Sequence, residues 1–295
     1  MESLSFFQDF RAVLSYSFMQ HALVACLLAS LACGIMGTLT VQNRMTFLAG
    51  GASHAAYGGI GLAFFFKLPV LPCTILFSFL AALLMGAITL KGEAKGGGGV
   101  PSTDAAIGVL WAAGMAFGII LIELTPGYAG ELMGFLFGSV LAVPVDDILS
   151  MAVFDIILLV VVFLFRHGIW AVSLDKEFAR TRGLPVNALF LLMVGLTAVS
   201  VVMLIRVVGL MLVLALLTIP PHIARRLSKS LYSSMAYACI LSLVFCLLGL
   251  ALSSKTNLSS GASIIAVSAG AYFLAFVPFQ KTPFWKKSNR SILTV

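Results

Sequence analysis

Two ionisable side chains sit where an apolar run leaves them little water, His54 within Met45 to Phe66 and Asp155 within the run that follows Ile148. A neutral imidazole is a good ligand for borderline divalent cations such as zinc, and a carboxylate suits harder ones. An ionisable group inside a membrane segment is expensive, so each is a candidate for ion handling. Gly50, His54 and Gly58 fall four residues apart on one helical face, which Gly61 extends, and Ser53 stands beside the histidine. Two readings of this face are open. Small residues can leave a polar-lined passage with Gly50, Ser53 and Gly58 on its wall, or they can admit a neighbouring helix, with His54 bonded to it. Asp155 is the one acid well inside a span, about 10 Å from its start at 1.5 Å per residue. It is a second, tentative metal ligand, or else a hydrogen-bonding group between helices.

The elements that must position these residues follow from composition. The chain has 295 residues, 61% hydrophobic and 10% charged, with a mean hydropathy of +1.10. This is the profile of an all-α, polytopic membrane bundle, expected as one transmembrane domain over 1–295. Segments long enough to cross a bilayer fall near 18–40, 47–66, 69–90, 105–123, 148–165, 186–205, 207–222, 234–254 and 262–280. Leu132 to Val143 is too short to span and is expected as a half-helix. The net charge of +7 resides in short loops, so it reads as membrane orientation and not as nucleic-acid binding. Of the 18 Lys and Arg, only Arg11, Lys67, Arg206 and Lys255 fall on the side opposite the 166–185 loop. That asymmetry puts the C-terminus in the cytoplasm and the N-terminus outside.

The remaining motifs are mostly negative. The five cysteines lie in apolar runs without C-x-x-C spacing and read as packing residues. Met1 to Arg11 has acids where a signal peptide needs bases, so the first span is expected to stay. The glycine-rich Lys91 to Asp104 is no phosphate loop, since no Gly-Lys-Ser/Thr occurs. It reads as a hinge, Gly96 to Gly99, then a turn and N-cap at Pro101 and Asp104. No H-E-x-x-H, nucleophile elbow or paired carboxylates argue for an enzyme. His21 and His222 lie at span ends, the latter after Pro220 and Pro221, and read as interfacial. The 166–185 loop holds a short segment with early acids and late bases, which Asp175 or Ser173 can cap and Gly183 with Pro185 can stop. It is either a docking helix or a solvated loop.

Motifs in a fixed order now resemble one family along nearly the whole chain: M-T-F-L-A-G-G-A-S-H-A-A-Y-G-G-I-G at 45–61, D-A-A-I-G-V-L at 104–110, P-G-Y-A-G-E-L-M-G-F-L-F-G-S-V-L-A-V at 126–143, L-D-K-E-F-A-R-T-R-G at 174–183 and V-V-G-L-M-L-V-L-A-L-L-T-I-P-P at 207–221. The chain resembles the permease subunits of ATP-driven importers for zinc, manganese and iron, the zinc-uptake permease being the nearest type. The resemblance implies a type II, cobalamin-importer-like fold of about eight or nine spans. It also implies a pore formed by two copies of the chain, a cytoplasmic ATPase dimer and an extracytoplasmic metal-binding protein. It makes 174–184 the coupling helix, with Asp175, Glu177, Ala179 and Gly183 in its ATPase-facing pattern, and His54 the metal-contacting residue.

One departure bears on the cargo. Many relatives place an Asp one turn before the histidine, where this chain has Gly50. A pore lined by imidazole without carboxylate suits zinc; manganese or iron is the alternative within the family. The chain is then a bacterial inner-membrane pore subunit, itself binding no cofactor and hydrolysing no ATP. A secondary transporter or channel would show a relay of deep acids, and only Asp155 lies deep.

Overall fold

The computed structural model describes residues 17–94, 100–125, 143–256 and 258–276, and every regular element among them is helical. In chain order these are α1 (Ser17–Gln42), α2 (Thr46–Phe66), α3 (Val70–Ala94), α4 (Val100–Glu123), α5 (Val145–Leu164), α6 (Arg166–Leu174), α7 (Lys176–Thr181), α8 (Val186–Val208), α9 (Leu210–Leu227), α10 (Leu231–Thr256) and α11 (Ser260–Phe276). The nine expected spans correspond to α1–α5 and α8–α11. Seven of these helices are long and apolar enough to cross a bilayer; α2, diluted by glycines, Ser53 and His54, and the 17-residue α11 fall outside that set. The proposed half-helix lies outside the described residues except for Val143, as does the Gly96 to Gly99 hinge.

Helix α2 is the buried axis of one half of the bundle, packed between α3 and α4 with α8 behind it. Its glycines make this possible. A Cβ on Gly61 would strike the backbone of Gly118, and one on Gly118 would strike the carbonyl of Tyr57, so α2 and α4 touch main chain to main chain. Ser78 of α3 donates to the Ala52 carbonyl of α2 at 2.9 Å. The other half is built on α1, which packs against α10, α9, α8 and α5.

Two boundaries differ from the sequence expectation. Pro220 and Pro221 do not end α9, which runs on to Leu227. Pro221 has no N–H for the Leu217 carbonyl one turn back, and that oxygen faces α1 where Gly37 leaves room for it. Likewise α4 begins at Val100, with Pro101 in its first turn, so Asp104 lies inside the helix and is not its N-cap. Gly209, at φ 85°, supplies the sharp link between α8 and α9 that an L side chain would strain.

Candidate functional site

The α1–α2 turn sets the entry of the histidine helix. The Arg44 N–H donates to Val41 and the Met45 N–H to Thr40, a Schellman closure with Arg44 in the left-handed region at φ 57°. From there Phe47, Gly50 and His54 lie along one face of α2, and the Trp111 indole of α4 covers all three. The His54 and Trp111 rings stack at 4.4 Å and 23°, Phe47 tilts against the indole at 5.8 Å, and a Cβ on Gly50 would sit 3.8 Å from it. Gly50 thus gives Trp111 its seat. His54 remains half-buried, and its Nδ1 is buried without a hydrogen-bond partner. One residue triplet on, the Tyr57 hydroxyl is equally buried and unpartnered. Neither Trp111 nor Tyr57 was singled out from sequence, although Trp111 is the only tryptophan inside a long helix among the described residues.

The rest of the glycine face is closed. The Phe77 ring of α3 fills the space beside Gly58, and the fully buried Ser53 donates its hydroxyl to the Gly50 carbonyl at 2.6 Å. Within the single chain an aromatic neighbour occupies the space beside Gly58 and a local backbone bond satisfies Ser53. Of the residues on this face named above, His54 alone is half-buried between Gly50 and Gly58.

Asp155 lies on the buried face of α5 with Met151, Phe154 and Leu158, at 2% exposure, and neither carboxylate oxygen has a partner. Helix α5 packs there against α1 and α8. His54 faces α4, so the two candidates are not brought together. Among the described residues, no three His, Cys, Asp or Glu side chains converge on a metal position. Nearer the interface, Asp147 of α5 pairs with Arg206 of α8 at 2.9 Å.

At the end of the bundle where basic residues gather, a cavity of about 560 Å³ opens among Asn43, Arg44, Glu93, Asp104, Lys176 and Arg225. It lies against the short helix α7. Asp175 is the N-cap, its carboxylate accepting from the Glu177 and Phe178 N–H groups at 2.9 and 3.1 Å. Gly183 at φ 74° ends the helix, with Gly183 N–H donating to Arg180 and Leu184 N–H to Ala179. Ala179 is fully buried against its own chain, so the surface the helix offers is Glu177, Phe178 and Arg180.

Ties run from this helix, and from Ser173 of α6 just before it, into the bundle. Lys176 pairs with Glu93 of α3 at 2.7 Å, Asn43 donates to the Ser173 hydroxyl at 2.9 Å, and Gln42 donates to the Ser173 carbonyl at 3.1 Å. Gln42 and Asn43 begin the turn into α2, so α7 is one short segment from the helix that carries His54.

Residues 15–278 match the model of the family described as ABC 3 transport family. The chain is 46% identical over 262 residues to an uncharacterized membrane protein of Synechocystis, covering 89% of this chain and 91% of that one. It is 32% identical over 278 residues to a manganese transport system membrane protein of Listeria monocytogenes, covering 93% and 96%. Its fold is similar to PsaBC from Streptococcus pneumoniae in complex with Fab, with a TM-score of 0.80 at 26% identity, covering 92% of this chain and 95% of that one.

Proposed function

The chain belongs to the ABC 3 transport family, as a multi-pass permease for metal transport, and on that premise we propose that it forms the pore of an ATP-driven zinc importer. Two copies of the chain enclose the pore in a bacterial inner membrane. A cytoplasmic ATPase dimer docks on α7, and an extracytoplasmic binding protein delivers the ion. The chain itself is not an enzyme: it holds no nucleotide motif, and its C-terminus is cytoplasmic, following the Lys and Arg asymmetry.

The observation that carries the reading is His54. It is an imidazole with a buried, unpartnered Nδ1, seated on an indole, on a face with no carboxylate within one turn. Two such groups related by symmetry would hold zinc weakly enough to release it, unlike a closed four-ligand site. The exposed face of α4 supports the pairing. Ala105, Ala112 and Ala116 recur with Gly108, whose surroundings are open, and small residues at this spacing admit a second helix closely.

A manganese importer is the second reading, favoured by the manganese transport relative. Accumulation of zinc and of manganese into vesicles holding the chain, its ATPase and its binding protein, with and without ATP, separates the two. ATP-dependent zinc uptake that excess manganese does not suppress supports zinc; the reverse supports manganese. Accumulation of neither, in vesicles whose ATPase is active, rejects the importer.

A further inference from the structure

Beside the larger cavity lies a second one of about 290 Å³, open to the surface where α6, α9 and α10 end together. Gln42, Trp170, Arg225, Lys229, Ser230 and Ser234 define it, and no acidic side chain is among its lining residues. Arg225 and Lys229 are exposed and make no ion pair among the described residues. The pocket therefore concentrates positive charge.

The start of the 26-residue α10 adds to it. Ser230 and Ser233 form a reciprocal cap: the Ser233 N–H donates to the Ser230 hydroxyl at 3.2 Å, and the Ser230 N–H donates to the Ser233 hydroxyl at 3.3 Å. That cap leaves the Leu231 and Tyr232 N–H groups without intrahelical acceptors. Together with the helix dipole they favour an anion.

Ser234 is the independent sign of a ligand. It lines the pocket, is 4% exposed, and its Oγ is buried with no hydrogen-bond partner. A hydroxyl left unpaired in a protein interior costs free energy, and a bound acceptor removes that cost. An arginine, a lysine, a helix N-terminus and an idle hydroxyl are together a set for a phosphate group.

The geometry points to a phosphate-binding site between α6, α9 and α10, filled by the headgroup of an anionic phospholipid. Trp170, exposed beside the pocket, is the aromatic type that membrane interfaces collect. Basic pockets between spans on the cytoplasmic side take anionic headgroups. The placement of this pocket in the inner leaflet rests on the orientation proposed above; the phosphate chemistry does not. Gln42, Ser173 and Arg225 line both cavities, so a headgroup here would brace the joint between α6 and the α1–α2 turn.

The test compares wild type, the Arg225→Gln/Lys229→Gln double variant and Ser234→Ala, each purified whole. Lipid retention is read by native mass spectrometry and unfolding midpoint by heating, with and without added phosphatidylglycerol. Wild type should keep phosphatidylglycerol over phosphatidylcholine, and the double variant should lose about fivefold in apparent affinity per charge removed. Ser234→Ala keeps both charges and discards the idle hydroxyl. Its midpoint without lipid should equal or exceed wild type, while its lipid-induced shift should shrink.

Inorganic phosphate that reproduces the lipid's shift in wild type but not in the double variant would uphold the phosphate site and reject lipid as its source. Equal retention by all three proteins, with no phosphate effect, overturns the proposal. So does a loss confined to the double variant with Ser234→Ala unchanged, which is diffuse charge attraction. These readouts need no transport, so they stand or fall apart from the importer reading.

Discussion

The side-chain amide of Asn43 donates to the hydroxyl of Ser173 at 2.9 Å across 130 residues of chain. This bond ties the last turn of α1, from which α2 and His54 follow, to the residue two before the cap of α7. Its neighbour Gln42 donates to the Ser173 carbonyl at 3.1 Å. On the proposed docking of an ATPase at α7, a movement of the α6–α7 segment would reach the entry of α2 through these short, directional contacts.

Replacing Asn43 or Ser173 with Ala should leave assembly and basal ATP hydrolysis close to parental while lowering the number of ions moved per ATP. The two substitutions together should cost no more than Asn43→Ala alone, because the shared bond, with a net worth of about 1 kcal/mol, is already gone in that variant along with the Asn43 bond to the Leu39 carbonyl. Parallel uptake and hydrolysis measurements check this; unchanged stoichiometry in both variants would remove the bond from the coupling path. Lys176→Ala should matter less. Its Glu93 partner is 42% exposed, and water and salt screen such a pair.

The docking surface of α7 is expected to work through Phe178, which is 53% exposed although apolar. Phe178→Ala should weaken retention of the ATPase on the purified permease while leaving the unfolding midpoint unaltered. Ala179→Asp buries a charge and should instead lower expression or stability. Equal ATPase retention by Phe178→Ala and parent would put the docking surface elsewhere.

Glycine substitutions should sort by what stands opposite them. Gly118→Val drives a side chain into the Tyr57 carbonyl and the Gly58 amide, main-chain atoms that cannot turn aside, and should prevent a stable bundle. Gly108→Ala meets nothing among the described residues and should not lower the monomer's stability. Detergent-resistant folding, followed by size-exclusion profile and thermal midpoint, distinguishes the pair.

Orientation is checked by single cysteines in place of Lys176 and Lys255 on a background lacking the five native thiols. An impermeant thiol reagent added outside intact cells should label position 255 and spare position 176. Labelling of position 176 would invert the proposed topology.

Much of this architecture was legible because it depends on local chemistry. Apolar runs of bilayer length located the spans, and an acid followed by late bases and a glycine located α7, its Asp175 cap and its Gly183 stop. What sequence could not supply were partners on other helices. The four-residue glycine spacing showed that α2 has a bare face, but not that Phe77 fills it at Gly58 or that Trp111 covers it at Gly50 and His54. Nor does a proline pair announce whether it ends a helix. At Pro220 and Pro221 the helix continues, with Gly37 of α1 set against the carbonyl that Pro221 leaves unbonded.

The central claim is that His54 handles the ion. Its most direct test is the initial rate of ATP-driven zinc uptake by His54→Ala against parent, in vesicles containing the ATPase and the binding protein. The account predicts a fall of at least about tenfold, with basal hydrolysis of the complex preserved, because the substitution removes the ligand atoms and otherwise costs only the stacking contact on Trp111. Zinc uptake by His54→Ala at the parental rate would contradict it and leave His54 as the partner of Trp111 in packing alone.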